Sequence, residues 1–88
     1  MIVWDETKRK RNLKDHGIDL ALVASVFDAP MVTVEDDRAT YGEQRLQSLG
    51  WFRDRVLFLV WTERNEHTRI ISCRYGGKHE TRTYFEAL

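Results

Sequence analysis

The sequence lacks most of the features that mark a secreted or membrane-bound protein. Its single cysteine, Cys73, excludes an internal disulfide. The longest apolar run, Val56 to Trp61, has six residues, whereas a membrane span needs about 18. The N-terminus has no basic region followed by an apolar core, so it does not resemble a secretory signal. These absences predict a soluble protein of the reducing cytoplasm.

The chain has one proline, no internal repeat and no stretch with the composition of a linker. Its 88 residues are the size of one small domain. A two-domain enzyme is therefore excluded, and we predict that residues 1–88 form a single domain around one core.

Net charge is also missing, because fourteen Lys and Arg residues balance fourteen Asp and Glu residues. The simplest argument for nucleic-acid binding is thereby removed. The charges are unevenly distributed, however: residues 21–50 carry two bases and five acids, and residues 51–88 carry seven bases and five acids. Nearly all of the bases in the last segment are arginine, which binds phosphate and carboxylate oxygens with paired hydrogen bonds. A local anion-binding site in residues 51–88 is therefore compatible with a net charge of zero for the whole chain.

Two helices are predicted in the N-terminal part. Asp5 is the residue type of an N-cap, and it precedes a polar helix of about ten residues that ends at His16-Gly17, with Gly in the C′ position. Asp19 then caps a second helix, Leu20 to about Asp28, which is apolar almost all round and stops before Pro30. The second helix is expected to belong to the core.

After the proline the apolar period changes from 3.6 to 2, which predicts strands. The predicted strands are Met31–Glu35, Gln44–Phe52, Val56–Trp61 and Arg69–Tyr75, with a polar connection at Asp36–Gly42. A terminal helix over Lys78–Leu88 is expected to bury Thr81, Tyr84, Phe85 and Leu88. The predicted fold class is therefore α+β, with two N-terminal helices, an antiparallel β-sheet meander that is covered on one face, and a C-terminal helix.

Arginines are concentrated on the last two predicted strands. Arg69 and Arg74 lie on the last strand, where strict alternation puts Arg74 on the same face as Ser72 and Ile70. Arg64 ends the neighbouring strand across a short turn. Guanidinium groups from two adjacent strands are therefore expected to meet at one edge of the sheet.

A helix start, a carboxylate and a phenol follow these arginines. The first N–H groups of the helix after Gly76-Gly77 are unpaired, and Glu80 and Tyr84 project from the same side of that helix. Together with Arg74, this set could cleave an RNA phosphodiester without a metal: a base takes the 2′-OH proton, a cation stabilises the phosphorane and an acid protonates the 5′-oxygen. In the competing structural interpretation, Glu80 only stabilises the helix start and Tyr84 packs in the core.

A polar stripe on the first helix is a second candidate. Asp5, Lys8, Asn12 and His16 lie three or four residues apart and share one side of the helix. The stripe could follow phosphates, or it could simply be solvated. Asn12 is the residue that a solvated helix would not select, because asparagine is a poor helix former.

Metal-ligand spacing is absent from the sequence, since no histidine lies three or four residues from another histidine or from Cys73. No metal site is predicted. His79 and Lys78 are candidates for substrate binding or for the acid. Cys73 is expected to pack as a small apolar group, and Trp51 and Trp61 are expected in the core.

Several short motifs occur in a characteristic order along the chain. They are Trp4-Asp5, Lys8, Asn12, His16-Gly17-Ile18, Val26-Phe27-Asp28, Gly42-Glu43-Gln44-Arg45, Gly50 and Arg69-Ile70-Ile71-Ser72-Cys73-Arg74 followed by Glu80 and Tyr84. With these motifs the sequence resembles the BrnT family of bacterial ribonuclease toxins over essentially its whole length. One departure is Cys73, where the family usually has a small residue such as alanine.

The resemblance implies a single toxin domain with a RelE-like fold, and metal-independent endoribonuclease activity without a cofactor. It also implies roles for individual residues. Those assigned to catalysis are Arg64, Arg74, the base Glu80 and the positioning or proton-donating Tyr84. Arg69 becomes a candidate phosphate binder. Lys8, Asn12 and His16 match the motifs as well, and for them catalysis, RNA contact and a scaffold role all stay open. With Lys78 and His79, which are candidates on chemical grounds alone, they complete the predicted substrate-binding set.

The resemblance further implies partners. The substrate is RNA, whose cleavage inhibits translation and growth. A cognate BrnA-like antitoxin protein occupies the toxin, forms a hetero-oligomer with it and represses their operon, so operator DNA is bound only through the antitoxin complex. No membrane partner is implied.

Two interpretations without enzymatic activity compete with this one. The first is a helix-turn-helix regulator, since two consecutive helices joined at His16-Gly17-Ile18 have the required order. The predicted second helix is too apolar for a DNA groove, which disfavours it. The other is an inactive relative that only pairs with a partner protein.

Overall fold

The computed structural model describes residues 1–38, 40 and 42–88, so the predicted connection Asp36–Gly42 includes two positions outside the described residues. The elements are β1 (Ile2–Trp4), α1 (Glu6–His16), two 3₁₀ segments (Leu20–Leu22 and Ala24–Asp28), β2 (Val32–Asp36), β3 (Arg45–Phe52), β4 (Arg55–Arg64), β5 (His67–Tyr75) and α2 (Lys78–Ala87). The α+β class is confirmed. No helix in the described ranges has both the length and the apolar character to cross a membrane.

Helix α1 begins and ends where the capping residues predict. The Asp5 side chain accepts a hydrogen bond from the Lys8 backbone N–H at 3.0 Å. Gly17 adopts a left-handed conformation, with φ at 71°, and its N–H donates to the Leu13 carbonyl at 2.9 Å. Glycine reaches this conformation at little cost.

The predicted second helix is wrong in type. Two 3₁₀ segments, of three and five residues, replace it. Leu20, Val23 and Val26 are all fully buried, and their spacing of three residues places them on one side of a 3₁₀ helix, which has three residues per turn. Leu22 lies off this side and is 54% exposed. Because no second α-helix follows α1 in residues 17–38, the helix-turn-helix interpretation is also wrong.

The five strands form one mixed sheet in the order β1-β5-β4-β3-β2. Strands β2 to β5 make the predicted antiparallel meander, and β4 lies at the centre of the sheet. The sheet also contains a strand that the sequence did not predict, β1, which pairs in parallel with β5. Strand β1 has only three residues, which is too short for an alternating pattern to predict it. Because β1 is parallel to β5, the purely antiparallel sheet predicted from the sequence is wrong.

Both faces of the sheet are covered, whereas one was predicted. Leu57 and Leu59 pack against the 3₁₀ segments in the main core, and Val56, on the opposite face, packs with Tyr84 of α2 in a smaller core. Three predicted burials fail: Phe85 is 53% exposed, Leu88 64% and Trp51 37%. Trp61 and Cys73 are buried as expected.

A register shift between β4 and β5 changes which residues share a face. Ser72 pairs with Val60, but Ile70 pairs with Trp61. Directly paired residues share a face and consecutive residues do not, so Ile70 and Ser72 lie on opposite faces. The alternation predicted from the sequence is therefore wrong at Ile70, which is fully buried in the main core.

An ion pair fixes the chain between α1 and the 3₁₀ segments. Arg9 donates to both oxygens of Asp19, at 2.7 and 3.0 Å, and the Ala21 backbone N–H donates to the same carboxylate at 2.9 Å. The hydrogen bonds from Arg9, followed by the one from Ala21, lower the pKa of Asp19 to about 2.

We expect Asp19→Asn to lower the Tm at neutral pH by about 5 °C, because asparagine keeps the cap to Ala21 but loses the charge. The folded pKa of Asp19 lies below its unfolded value. Its stabilising contribution is therefore complete above about pH 4 and disappears as the pH falls through about 2. Circular dichroism melts over this range should show the two proteins converging at low pH. A Tm difference that is independent of pH would contradict the assignment, and Glu86→Gln on α2 is the control.

Candidate functional site

A paired arginine and carboxylate mark the junction of β5 and α2. Arg74 Nη1 donates to Glu80 Oε1 at 2.7 Å, and Nη2 donates to Oε2 at 2.8 Å. The Gly77 backbone N–H also donates to Glu80 Oε1, at 2.9 Å. Glu80 therefore caps the start of α2 while it holds the guanidinium, and the structural and the chemical interpretations of this residue are both compatible with the geometry.

Gly76 allows the close approach of this junction to the central strand. A Cβ at Gly76 would lie 3.2 Å from Val56 Cγ1 and 3.3 Å from the Val56 carbonyl oxygen. The Gly76 N–H donates to that same carbonyl at 2.8 Å. A side chain here would require Val56 or the Gly76 backbone to shift by a few tenths of an ångström.

The guanidinium of Arg74 is also fixed by the sheet. Its Cζ lies 4.4 Å from the centre of the Phe58 ring, and Nη1 donates to the Tyr75 carbonyl at 3.2 Å. The hydrogen bonds from Arg74 lower the pKa of Glu80, and the Glu80 carboxylate raises the pKa of Arg74. Both groups are therefore charged at neutral pH. Their side chains are 42% and 25% exposed, so a phosphate in solution can reach them.

Beside the pair lies a groove of about 220 Å³. Glu80, His79 and Thr83 of α2 form one wall, and the other consists mostly of apolar side chains of the sheet, Phe58 among them. His79 is exposed. The structure thus brings Arg74, Glu80 and His79 to one place.

The other two predicted arginines lie on the same sheet face but farther away. Arg69 pairs with Thr62, and Arg74 pairs with Phe58. Thr62 and Phe58 lie an even number of residues apart on β4, so they face the same side. The register shift therefore puts Arg69 on the same face as Arg74. Arg64 lies on the order of 20 Å from Arg74 along the strands, with its guanidinium bonded to Glu43. Arg69 Nη2 lies 3.9 Å from Asp5 Oδ2. Arg64 and Arg69 both lower the pKa of Glu43, so these two guanidinium groups from adjacent strands lie near one carboxylate, whereas Arg74 lies apart from them.

Tyr84 lies one helical turn beyond Glu80, but it faces the interior. Its side chain is buried, and its hydroxyl donates to the Pro30 carbonyl at 2.9 Å. The ring also stacks on Trp51, with ring centres 6.5 Å apart. Proton donation to a substrate would require the Pro30 hydrogen bond to break.

The stripe on α1 contains both exposed and buried residues. Lys8 and His16 are exposed and line a groove of about 210 Å³ against Ser72. Asn12 is buried: its Nδ2 donates to the carbonyls of Ile18, at 2.9 Å, and Cys73, at 2.8 Å, and its Oδ1 accepts from the Cys73 N–H at 3.0 Å. Asn12 thus pairs with the edge of β5 as a neighbouring strand would.

Lys78 is exposed on the first turn of α2 and lines a different groove, with Trp51, Arg55 and Arg82. Sequence reasoning missed the last two residues and placed Trp51 in the core. In residues 1–38, 40 and 42–88, no three His, Cys, Asp or Glu side chains are grouped so that they could hold a metal ion. Burial raises the pKa of the Cys73 thiol to about 12, so this thiol is not a nucleophile.

In a comparison with known families, residues 4–80 match the model described as a ribonuclease toxin, BrnT, of a type II toxin-antitoxin system. The match covers most of the chain and confirms the resemblance found in the sequence motifs. A search of curated proteins gives no match.

Proposed function

Since the chain belongs to the BrnT family of ribonuclease toxins, we propose that it is an endoribonuclease that cleaves RNA at the junction of β5 and α2. The observation that carries this proposal is the Arg74–Glu80 pair, which is hydrogen-bonded at both oxygens and remains accessible from solvent. A guanidinium held in a fixed plane matches the oxygens of a phosphate. Its partner carboxylate supplies the base.

The proposed reaction is an internal transfer at phosphorus. The 2′-oxygen forms a bond to the adjacent phosphorus, the bond from phosphorus to the 5′-oxygen breaks, and the products are a cyclic phosphate and a free 5′-hydroxyl. Arg74 stabilises the charge that develops on the phosphorane. Glu80 accepts the 2′-hydroxyl proton. His79, which lines the same groove, is placed to return a proton to the 5′-oxygen.

The low pKa of Glu80 makes it a weak base while Arg74 is bonded to it. A substrate phosphate competes for the same guanidinium hydrogen bonds. As Arg74 turns toward the phosphate, Glu80 loses the interaction that lowers its pKa and becomes a better proton acceptor. Substrate binding would therefore activate the base, and the Arg74–Glu80 pair is the resting state of the site.

The remaining predicted residues fall into two groups. Arg64, Arg69, Lys8 and His16 are exposed or partly exposed cationic or titratable groups outside the reacting pair, and we assign them to RNA contact. Tyr84 and Asn12 position the elements that carry the site, because their polar atoms are bonded to the protein backbone.

We further propose that the chain acts in the bacterial cytoplasm without a metal ion, and that a BrnA-like antitoxin neutralises it in a hetero-oligomer. Operator DNA is contacted only through that complex. An antitoxin that covers Arg74 and Glu80 would prevent phosphate binding.

Expression of the chain alone should arrest bacterial growth, and co-expression of the adjacent gene should restore it. The purified protein should cleave total RNA in the presence of EDTA, because the reaction is assigned to side chains. Fragments should end in a cyclic phosphate and begin with a 5′-hydroxyl. Normal growth at verified expression, together with intact RNA, would instead favour the inactive relative that only binds a partner.

A further inference from the structure

A second groove, of about 630 Å³, lies between the β3–β4 turn and the outer side of α2. It is separate from the groove that contains Glu80, and no residue lines both. Its lining combines two aromatic rings, three cations and one carboxylate: Trp51, Phe85, Arg55, Lys78, Arg82 and Asp54.

The aromatic part of this groove is fixed and exposed. Trp51 stacks on Tyr84 at a ring distance of 6.5 Å and an angle of 15°, and meets the edge of Phe85 at 5.6 Å. Trp51 nevertheless remains 37% exposed and Phe85 53% exposed. An indole held in place by packing, with part of its surface in water, can stack on a nucleobase with little loss of conformational entropy.

The cations of this groove differ from those of the proposed active site. Arg74, Arg64 and Arg69 each have a carboxylate partner. By contrast, Arg55, Lys78 and Arg82 form no ion pair with any carboxylate of the described chain.

The guanidinium of Arg55 lies 3.8 Å from the centre of the Tyr75 ring. Tyr75 pairs with Leu57, so this guanidinium lies on the main-core side of the sheet, away from α2. Lys78 and Arg82, four residues apart, project from the same side of α2. Together these side chains give the groove a local positive charge in a chain with zero net charge.

We propose that this groove binds one nucleotide of single-stranded RNA, with the base against Trp51 and the phosphate against Arg82 and Lys78. The proposal rests on the function proposed above, because it takes RNA as the ligand. Lys78 and Glu80 both lie in the first turn of α2, so a strand that crosses the start of this helix reaches both grooves. The second groove then holds a nucleotide next to the reacting one.

The test is a binding measurement that does not depend on cleavage. A short fluorescein-labelled, 2′-O-methylated oligonucleotide of random sequence cannot react, because its 2′-hydroxyls are blocked, and its anisotropy reports affinity. The variant Lys78→Glu/Arg82→Glu should raise the Kd by more than 10-fold, and Trp51→Leu should raise it by about 10-fold. Trp51→Phe, which keeps a ring, should bind nearly as the wild type does.

The matched control is Lys10→Glu/Lys14→Glu, which makes the same charge change at the same spacing on an exposed side of α1. It should change the Kd less than 3-fold, roughly as expected for a screened long-range effect. Circular dichroism melts establish that each variant is folded.

Three results would overturn the proposal. An equal loss of affinity in the two double variants would show a general charge effect. Undiminished binding by Trp51→Leu would remove the stacking role. Weaker antitoxin binding by Lys78→Glu/Arg82→Glu, with RNA binding unchanged, would make the groove a protein interface. Absence of cleavage by the wild type would refute only the proposed function, since the oligonucleotide measurement stands apart from it.

Discussion

Arg74→Ala should lower the rate of RNA cleavage by about 10²- to 10³-fold, because one preorganised group that stabilises the transition-state charge is removed. Arg74→Lys should recover little of this loss. Lysine keeps the charge but presents it as a point, whereas two guanidinium hydrogen bonds fix the plane of the group in the resting site. A discontinuous cleavage assay on a labelled RNA at saturating substrate separates this effect from weaker binding.

Glu80→Gln completes the same prediction and should lower the rate by about 10²- to 10⁴-fold. Glutamine has nearly the same shape, and its carbonyl oxygen can still accept from the Gly77 N–H, so the start of α2 stays capped. The substitution removes the proton acceptor, and it also removes the carboxylate charge and the hydrogen bond that Arg74 Nη2 donates to Oε2. In the wild type, kcat/KM should rise with pH as Glu80 of the free enzyme ionises and then remain high toward neutral pH, since the pKa of Glu80 is lowered while Arg74 is bonded to it.

The control substitutions are made at an arginine and a glutamate that lie outside the proposed site. Arg53 also lies over an aromatic ring, with its Cζ 4.9 Å from the centre of Phe52, and Glu86 is an exposed carboxylate of α2. Arg53→Ala and Glu86→Ala should cleave at rates near that of the wild type. Full activity of Arg74→Ala or of Glu80→Gln would remove the proposed site and leave the family assignment intact.

Most of the fold could be predicted because the relevant signals are local. The Asp5 cap, the Gly17 C′ residue and the alternation after Pro30 define α1 and the meander by short-range rules. The failures have a different origin. Strand β1 pairs with β5, which follows more than sixty residues later in the chain, and a segment of three residues contains no periodic signal for such a pairing.

The candidate site shows the same division. Arg74, Glu80 and His79 could be identified together because they lie on consecutive elements joined by two glycines. The spatial relation of the other arginines could not be predicted, since it depends on the register shift that separates Ile70 from the face of Ser72. The exposure of Trp51 could not be predicted either, because alternation alone does not show that α2 leaves part of one sheet face exposed to solvent.

Asn12 belongs to the family motif, which suggests a role in the activity, but all of its side-chain hydrogen bonds are made to the protein backbone. Strand β1 pairs with β5 only as far as Ile70, so beyond that point no strand of the described residues pairs with the outer edge of β5. Asn12 supplies both hydrogen bonds that a strand would provide to Cys73. Its third hydrogen bond, to the Ile18 carbonyl, ties the loop after α1 to the same point.

Asn12→Ala should therefore lower the free energy of unfolding by about 3 kcal/mol, because it leaves a buried N–H and two carbonyls without this partner. For a domain with a total stability of about 5–15 kcal/mol, that is a large fraction. Urea denaturation at neutral pH measures the change. Asn12→Asp should be similarly destabilised, since a carboxylate cannot donate to the two carbonyls.

Lys10→Ala, at an exposed position of the same helix, is the reference for α1 and should change the free energy of unfolding by less than about 0.5 kcal/mol. Cleavage by Asn12→Ala, assayed at a temperature where the variant is folded, should stay within a few-fold of the wild type. A stable Asn12→Ala variant without activity would reverse this assignment: the amide would then act on RNA, and the edge of β5 would be held by other contacts of α1.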